Sequence, residues 1–299
     1  TVFAIILMAS KDVIHEWTQR LTRRDVRSAL QFAAITGIVL PLVPNSSFGP
    51  FAAFNPFNTW LMVVLVSGIS FLGYVAMRLF GSYAGIGFTG IIGGLVSSTA
   101  TTLAFSRQSK TQPRLTHSFI LAIILASTVM FGRMLILVSA TNLEVLSRLW
   151  LALLLMAVPG MCMAGWLWRN LAEPSTDVKE PQFDNPLGFR RALHFAIVYA
   201  FIVFLVKVAH SYGNQGIYGI SLLSGLTNTN AITLSLTQMV VGKQIGAEIA
   251  AKGILLSALS ATALKAVFVI IAGSVEIRRA VLIFSGVTAV AGIIGWWLI

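Results

Sequence analysis

Gly93-Gly94-Leu95-Val96-Ser97-Ser98-Thr99-Ala100-Thr101-Thr102-Leu103 is the stretch on which the reading of this chain turns. Gly225-Leu226-Thr227-Asn228-Thr229-Asn230-Ala231-Ile232-Thr233-Leu234 echoes it, displaced by 131 residues. Each copy begins apolar and glycine-rich, passes through hydroxyls and amides, and turns apolar again. The chain around them is hydrophobic enough for a membrane protein. Of its 299 residues 57% are hydrophobic and 10% charged, where a soluble domain carries about 25% charged residues. A polar break in such a chain needs a reason, and inside a membrane that reason is commonly a binding site or a pathway.

Several near-uncharged runs reach the roughly 20 residues that a spanning helix needs. They are continuous, whereas a β-barrel would show alternation. The expected fold is an all-α polytopic membrane protein. Apolar runs at 28–43, 60–80, 85–106, 115–140, 146–168, 192–209, 216–236, 253–273 and 280–299 mark the segments. Residues 1–9 read as the tail of an earlier membrane helix, so the chain is expected to be the C-terminal part of something longer. Residues 10–27 alternate charge with Val13, Ile14, Trp17, Leu21 and Val26, the pattern of an amphipathic helix on a membrane surface.

The echo extends beyond the motif. Asn55-Pro56-Phe57 returns as Asn185-Pro186-Leu187, Arg133 as Lys265, and Glu144 as Glu276, all within 130 to 132 residues of each other. That spacing predicts tandem repeats of about 131 residues, at 28–168 and 192–299, joined by a cytoplasmic linker at 169–191. Positive charge decides their orientation, because cytoplasmic loops are enriched in Lys and Arg. If 85–106 and 216–236 dip in and return, the inside loops hold 14 basic residues and the outside loops two, Lys243 and Lys252. Arg148, at the outer end of its segment, would raise the second number to three. If both motifs cross, the division is seven inside and nine outside. The expectation is therefore inverted repeats, each with three crossings plus a re-entrant or broken helix, a layout shared by many secondary transporters.

Broken helices expose N–H groups, carbonyls and dipole ends near mid-depth. Ser97, Ser98 and Thr99 would cap the second arm of one motif, and Thr227, Asn228 and Thr229 that of the other. With Thr101, Thr102, Asn230 and Thr233 they form the candidate site. Their oxygens suit Na⁺ or another monovalent cation, while helix N-termini suit an anion. Arg133 and Lys265 lie in apolar runs, where a charge costs roughly 2.5–3.5 kcal/mol on insertion scales. They join the candidate site as attractors of an anionic solute; the alternative for each is snorkelling to an interface. Arg78 and Lys207, near segment ends, read as snorkelling residues.

Other classes find little support. The net charge of +11 resides mostly at segment ends, as topology signals do, and does not argue for nucleic acid. A single cysteine, Cys162, builds neither a disulfide framework nor a Cys-based metal site. The sequence offers no nucleophile–base pair, phosphate loop or metal triad, so no enzyme, no resident cofactor and no metal site are expected.

The string GGLVSSTATTLA at 93–104, with Leu30-Gln31-Phe32-Ala33 and Phe54-Asn55-Pro56 before it, resembles the domain of unknown function attached C-terminally to MgtC/SapB-type bacterial membrane proteins. The resemblance covers nearly the whole chain. It implies the bacterial inner membrane, an N-terminal MgtC-type partner domain and a tie to magnesium homeostasis. Thr227-Asn228-Thr229 is also similar to the Ser-Asn-Thr tips of sodium–dicarboxylate transporters, which sit on re-entrant hairpins; the first copy has Ser98 where that pattern would put Asn. Two functions follow as expectations. One is a transporter or channel-like carrier for an ion or small, anionic solute, in the bilayer as a monomer or homo-oligomer. The other is a non-transporting regulator or scaffold of MgtC type.

Overall fold

The computed structural model describes residues 23–48, 54–80, 85–170, 189–210 and 213–299. The surface helix expected at 10–27 and the linker at 169–191 fall largely outside the described residues. Helix α1 (Arg23–Ala34) continues through a π-turn (Ile35–Val39) and a last turn (Leu40–Leu42). Then follow α2 (Pro56–Phe80), α3 (Gly85–Thr111), α4 (Thr116–Thr141), α5 (Leu143–Asn170), α6 (Phe189–His210), α7 (Gly213–Thr227), α8 (Thr229–Val241), α9 (Ala247–Ala272) and α10 (Val275–Leu298). Among the described residues, five stretches are long and apolar enough to cross a membrane: Gly87–Thr111, Pro113–Thr141, Leu143–Asn170, Ala247–Ala272 and Val275–Leu298. The chain is a polytopic helical membrane protein.

Several helices start at asparagine. Asn55 Oδ1 accepts the Asn58 N–H at 3.0 Å, and Pro56 opens α2. Asn142 Oδ1 accepts the Val145 N–H at 3.0 Å and begins α5. A side-chain oxygen there satisfies an amide that has no partner in the first turn, and proline loses nothing at that position. The α5 and α10 starts lie earlier than the apolar runs predict. Glu144 and Glu276 occupy their first turns, where the helix dipole favours acid, so a search for apolar residues alone begins too late.

Helix α3 is broken at Ser97, whose φ of −164° and ψ of 100° are extended. Its two arms both lie along α4, in opposite directions. In the first arm a Cβ at Gly90 would stand 2.5 Å from Ala122 Cα, and one at Gly94 2.7 Å from Ala126 Cα. In the second arm Phe105 stacks on Phe119 at 5.5 Å. Numbers on α4 rise along the first arm and fall along the second, so the chain doubles back at Ser97. The same arrangement joins α7 and α8 to α9. Gly225 lies against Ser257, and a Cβ on Gly253 would meet Ser221 of α7 and Leu236 of α8, at 2.9 and 2.8 Å. Asn228 is the residue between these arms.

The core runs between these two units. Met134, Leu137 and Leu149 pack with Ile232, Leu234, Ile254 and Leu255. A second cluster gathers Phe105, Phe119 and Ile123 against Val269, Ile277 and Phe284. Outward faces of α5 and α10 stay apolar: Trp166 is 64% exposed and Trp297 83%. In water that exposure would be costly, and in a bilayer it is the expected surface.

Glycine at the close approaches sets a test. Gly94→Val should cost about 1–3 kcal/mol, the usual penalty of overpacking, and lower the thermal midpoint in detergent. Gly132→Ala, with nothing within 4 Å of the added carbon, should melt at or above the parent temperature. Equal midpoints for Gly94→Val and the parent would contradict the backbone contact.

Candidate functional site

Each break is held by its own residues. Ser97 Oγ accepts the Ala100 N–H at 3.3 Å, capping the second arm of α3. Asn228 Oδ1 accepts from Asn230 N at 3.1 Å and Ala231 N at 3.3 Å, capping α8. Short polar side chains compete with the backbone for such amides, which is why these residues interrupt a helix rather than continue it. The carbonyl end of the first arm is met from α4, where Arg133 Nη1 donates to Leu95 O at 2.7 Å and to Val96 O at 3.3 Å. Arg133 is 6% exposed and Lys265 2%. Neither snorkels; both are buried in protein.

The two breaks face one cavity of about 530 Å³. Ser97, Ser98 and Thr99 line it from one side, Thr227, Asn228, Thr229 and Asn230 from the other. Arg133 and Met130 of α4, Phe195 of α6 and Phe268 of α9 complete much of the wall. Eight of the twelve residues named from the sequence thus meet around one space. The other four lie behind its surface. Thr101 and Thr102 donate to Ser97 O and Ser98 O at 2.9 and 2.8 Å, and Thr233 donates to Thr229 O at 2.7 Å. These hydroxyls are spent on their own helices. Lys265 Nζ reaches Met130 Sδ at 3.1 Å, so it stands behind the methionine that lines the cavity.

Each break presents one helix C-terminus and one N-terminus, about −0.5 and +0.5 of a charge, and these offset to first order. Arg133 adds a full positive charge and covers two of the carbonyls. No Asp or Glu stands among the described lining residues. Among the described lining residues the sign is therefore positive, which suits an anion.

A second polar cavity, of about 260 Å³, lies between α2, α6 and α8. Asn58, Thr59, Lys207, Ser235 and Gln238 line it. Lys207, expected to snorkel to an interface, lines this space together with side chains that were not expected at a site. The available signal was Ser235 and Gln238, three apart and so on one face of an apolar helix.

A family model described as a domain of unknown function (DUF4010) matches residues 64–273. An uncharacterized protein of Aquifex aeolicus (strain VF5) is 32% identical over 200 residues, covering 66% of this chain and 87% of that protein. No solved structure matches the chain. Neither match carries a tie to MgtC/SapB proteins.

The caps generate a measurable expectation. Asn228→Ala removes two amide partners and should cost roughly 0.5–2 kcal/mol of stability. Hydrogen exchange at the Asn230 and Ala231 amides should speed up, with exchange in α10 unchanged. Unaltered protection at those two amides would show that Asn228 does not hold the break.

Proposed function

The chain belongs to the DUF4010 family, and we propose that it is a membrane transporter whose site is the cavity between the two broken helices. The observation that carries this reading is the meeting of two capped breaks in one polar space of about 530 Å³. Arg133 makes a small anion the favoured solute. A monovalent cation such as Na⁺ suits the carbonyl end of α7 and would serve as coupling ion. The setting is the bacterial inner membrane.

In this proposal the chain is a tandem inverted duplication. Several intervals support it. Ser97 and Asn228 are 131 residues apart, as are the first residues of α4 and α9, and those of α5 and α10 are 132 apart. Inversion is supported at the turn between α3 and α4. Ser109 Oγ accepts the Ser274 N–H at 3.0 Å and Lys110 Nζ donates to Ile271 O at 3.3 Å. Helix α4 thus begins where α9 ends, so equivalent helices run in opposite directions. The basic turn at Arg107, Lys110 and Arg114 would be cytoplasmic, and the 242–246 turn outside.

A regulator or scaffold of MgtC type, magnesium-linked, is the second reading. The back-bonded hydroxyls of Thr101, Thr102 and Thr233 speak for it, since such groups serve packing. The polar space at the tips speaks against it.

Two experiments test the proposal. In a Cys162→Ser background, single cysteines at Thr111 and Gln244 should label from opposite sides of the membrane; same-side labelling ends the inverted reading. Purified protein in liposomes should move at least one of radiolabelled succinate, phosphate or chloride, tested with and without a Na⁺ gradient. Ser97→Ala and Asn228→Ala should each slow that flux roughly tenfold, the factor given by about 1.4 kcal/mol. No flux above empty liposomes for any of the three would favour the regulator.

A further inference from the structure

The second polar cavity shares three helices with the first. On α2, Val66 lines the central cavity and Thr59 the outer one; on α6, Phe195 and Lys207 divide in the same way; on α8, Asn230 and Ser235 do so. At 1.5 Å per residue, the step along α8 is about 7–8 Å. The two spaces are therefore consecutive along one groove. Between them stand two rings. Phe195 lines the central cavity and Tyr199 the outer one, with ring centroids 6.2 Å apart and planes at 12°.

The outer cavity is built for a polar occupant. Ser235 is 1% exposed and its hydroxyl has no hydrogen-bond partner among the described residues. Such a group costs about 1–3 kcal/mol unless something in the cavity bonds to it. The Asn58 and Gln238 amides and the Thr59 hydroxyl add donors, and Lys207 adds a positive charge. No carboxylate stands among the described lining residues. Gly242 and Gln244 form the rim, at the turn between α8 and α9.

We propose that this groove is an outer vestibule that collects small anions for the central cavity, with the Phe195–Tyr199 stack as the gate between the two. The inference rests on the transport reading and adds to it a route, a side of entry and a barrier. Lys207 attracts the anion, Ser235 and Gln238 replace part of its hydration, and rotation of the two rings admits it to the breaks at Ser97 and Asn228.

Thiol modification tests this without knowledge of the natural solute. In the Cys162→Ser background, Ser235→Cys and, as a second position, Gln238→Cys are exposed to anionic sulfonatoethyl and cationic trimethylammonioethyl methanethiosulfonate. Rates are taken relative to a free thiol. Both positions should react from the Gln244 side, the anionic reagent several-fold faster, and Lys207→Gln should remove that preference. Asn230→Cys should react slowly, and faster when Tyr199→Ala is added. Inert thiols at both positions, a preference for the cationic reagent, a preference that survives Lys207→Gln, or an Asn230→Cys rate indifferent to Tyr199→Ala would overturn the proposal. The readout is independent of flux. Anion-selective modification with no flux would sink the transport reading and leave a binding vestibule. Flux with inert thiols would keep the central site and sink the vestibule.

Discussion

A helix interrupted inside a membrane protein frees amides and carbonyls from their helical partners. Each left unsatisfied costs several kcal/mol in hydrocarbon. Everything distinctive in this chain follows from meeting that cost. Ser97 and Asn228 take the amides, and the Arg133 guanidinium takes two carbonyls. The arms can then fold back only if a neighbour lets them lie close, which is why glycines meet Ala122, Ala126 and Ser257 with almost no gap. Capping and close packing together hold two polar tips at one cavity.

The two halves solve the same problem with different chemistry. The first break uses a serine cap and an arginine across the carbonyl end. The second uses asparagine, which reaches two amides, while Lys265 turns to the Met130 sulfur. The guanidinium at the cavity surface thus belongs to one break, while the ammonium lies behind Met130.

Much of this was legible in the residues. The 131-residue echo located both breaks, and hydroxyls in an apolar, glycine-rich run signalled their caps. Seven residues chosen on that basis share one cavity, and Arg133, chosen as a charge in an apolar run, joins them there. The rest was hidden for physical reasons. Thr101, Thr102 and Thr233 have the same composition as the tip residues, and only the helical period turns their hydroxyls onto the preceding turn. Lys207 sits near a helix end, where a lysine ordinarily reaches water; its place beside Asn58 and Gln238 depends on how α2 and α8 pack. Helix starts were misjudged where acids fill the first turn, because hydropathy ignores the dipole.

The supports for each pair of arms come later in the chain than the arms themselves. Arms of this kind, about 13 residues and so roughly 20 Å long, are too short to cross alone. When the ribosome has made α3 there is as yet no α4 for Gly90 and Gly94 to rest on, nor Arg133 to cover Leu95 and Val96. The same holds for α7 and α8 before α9. Neither hairpin can make its close contacts until its platform has been synthesised. The order of synthesis therefore bears on the cavity between the breaks: a truncation before 253 would leave the second tip without its platform.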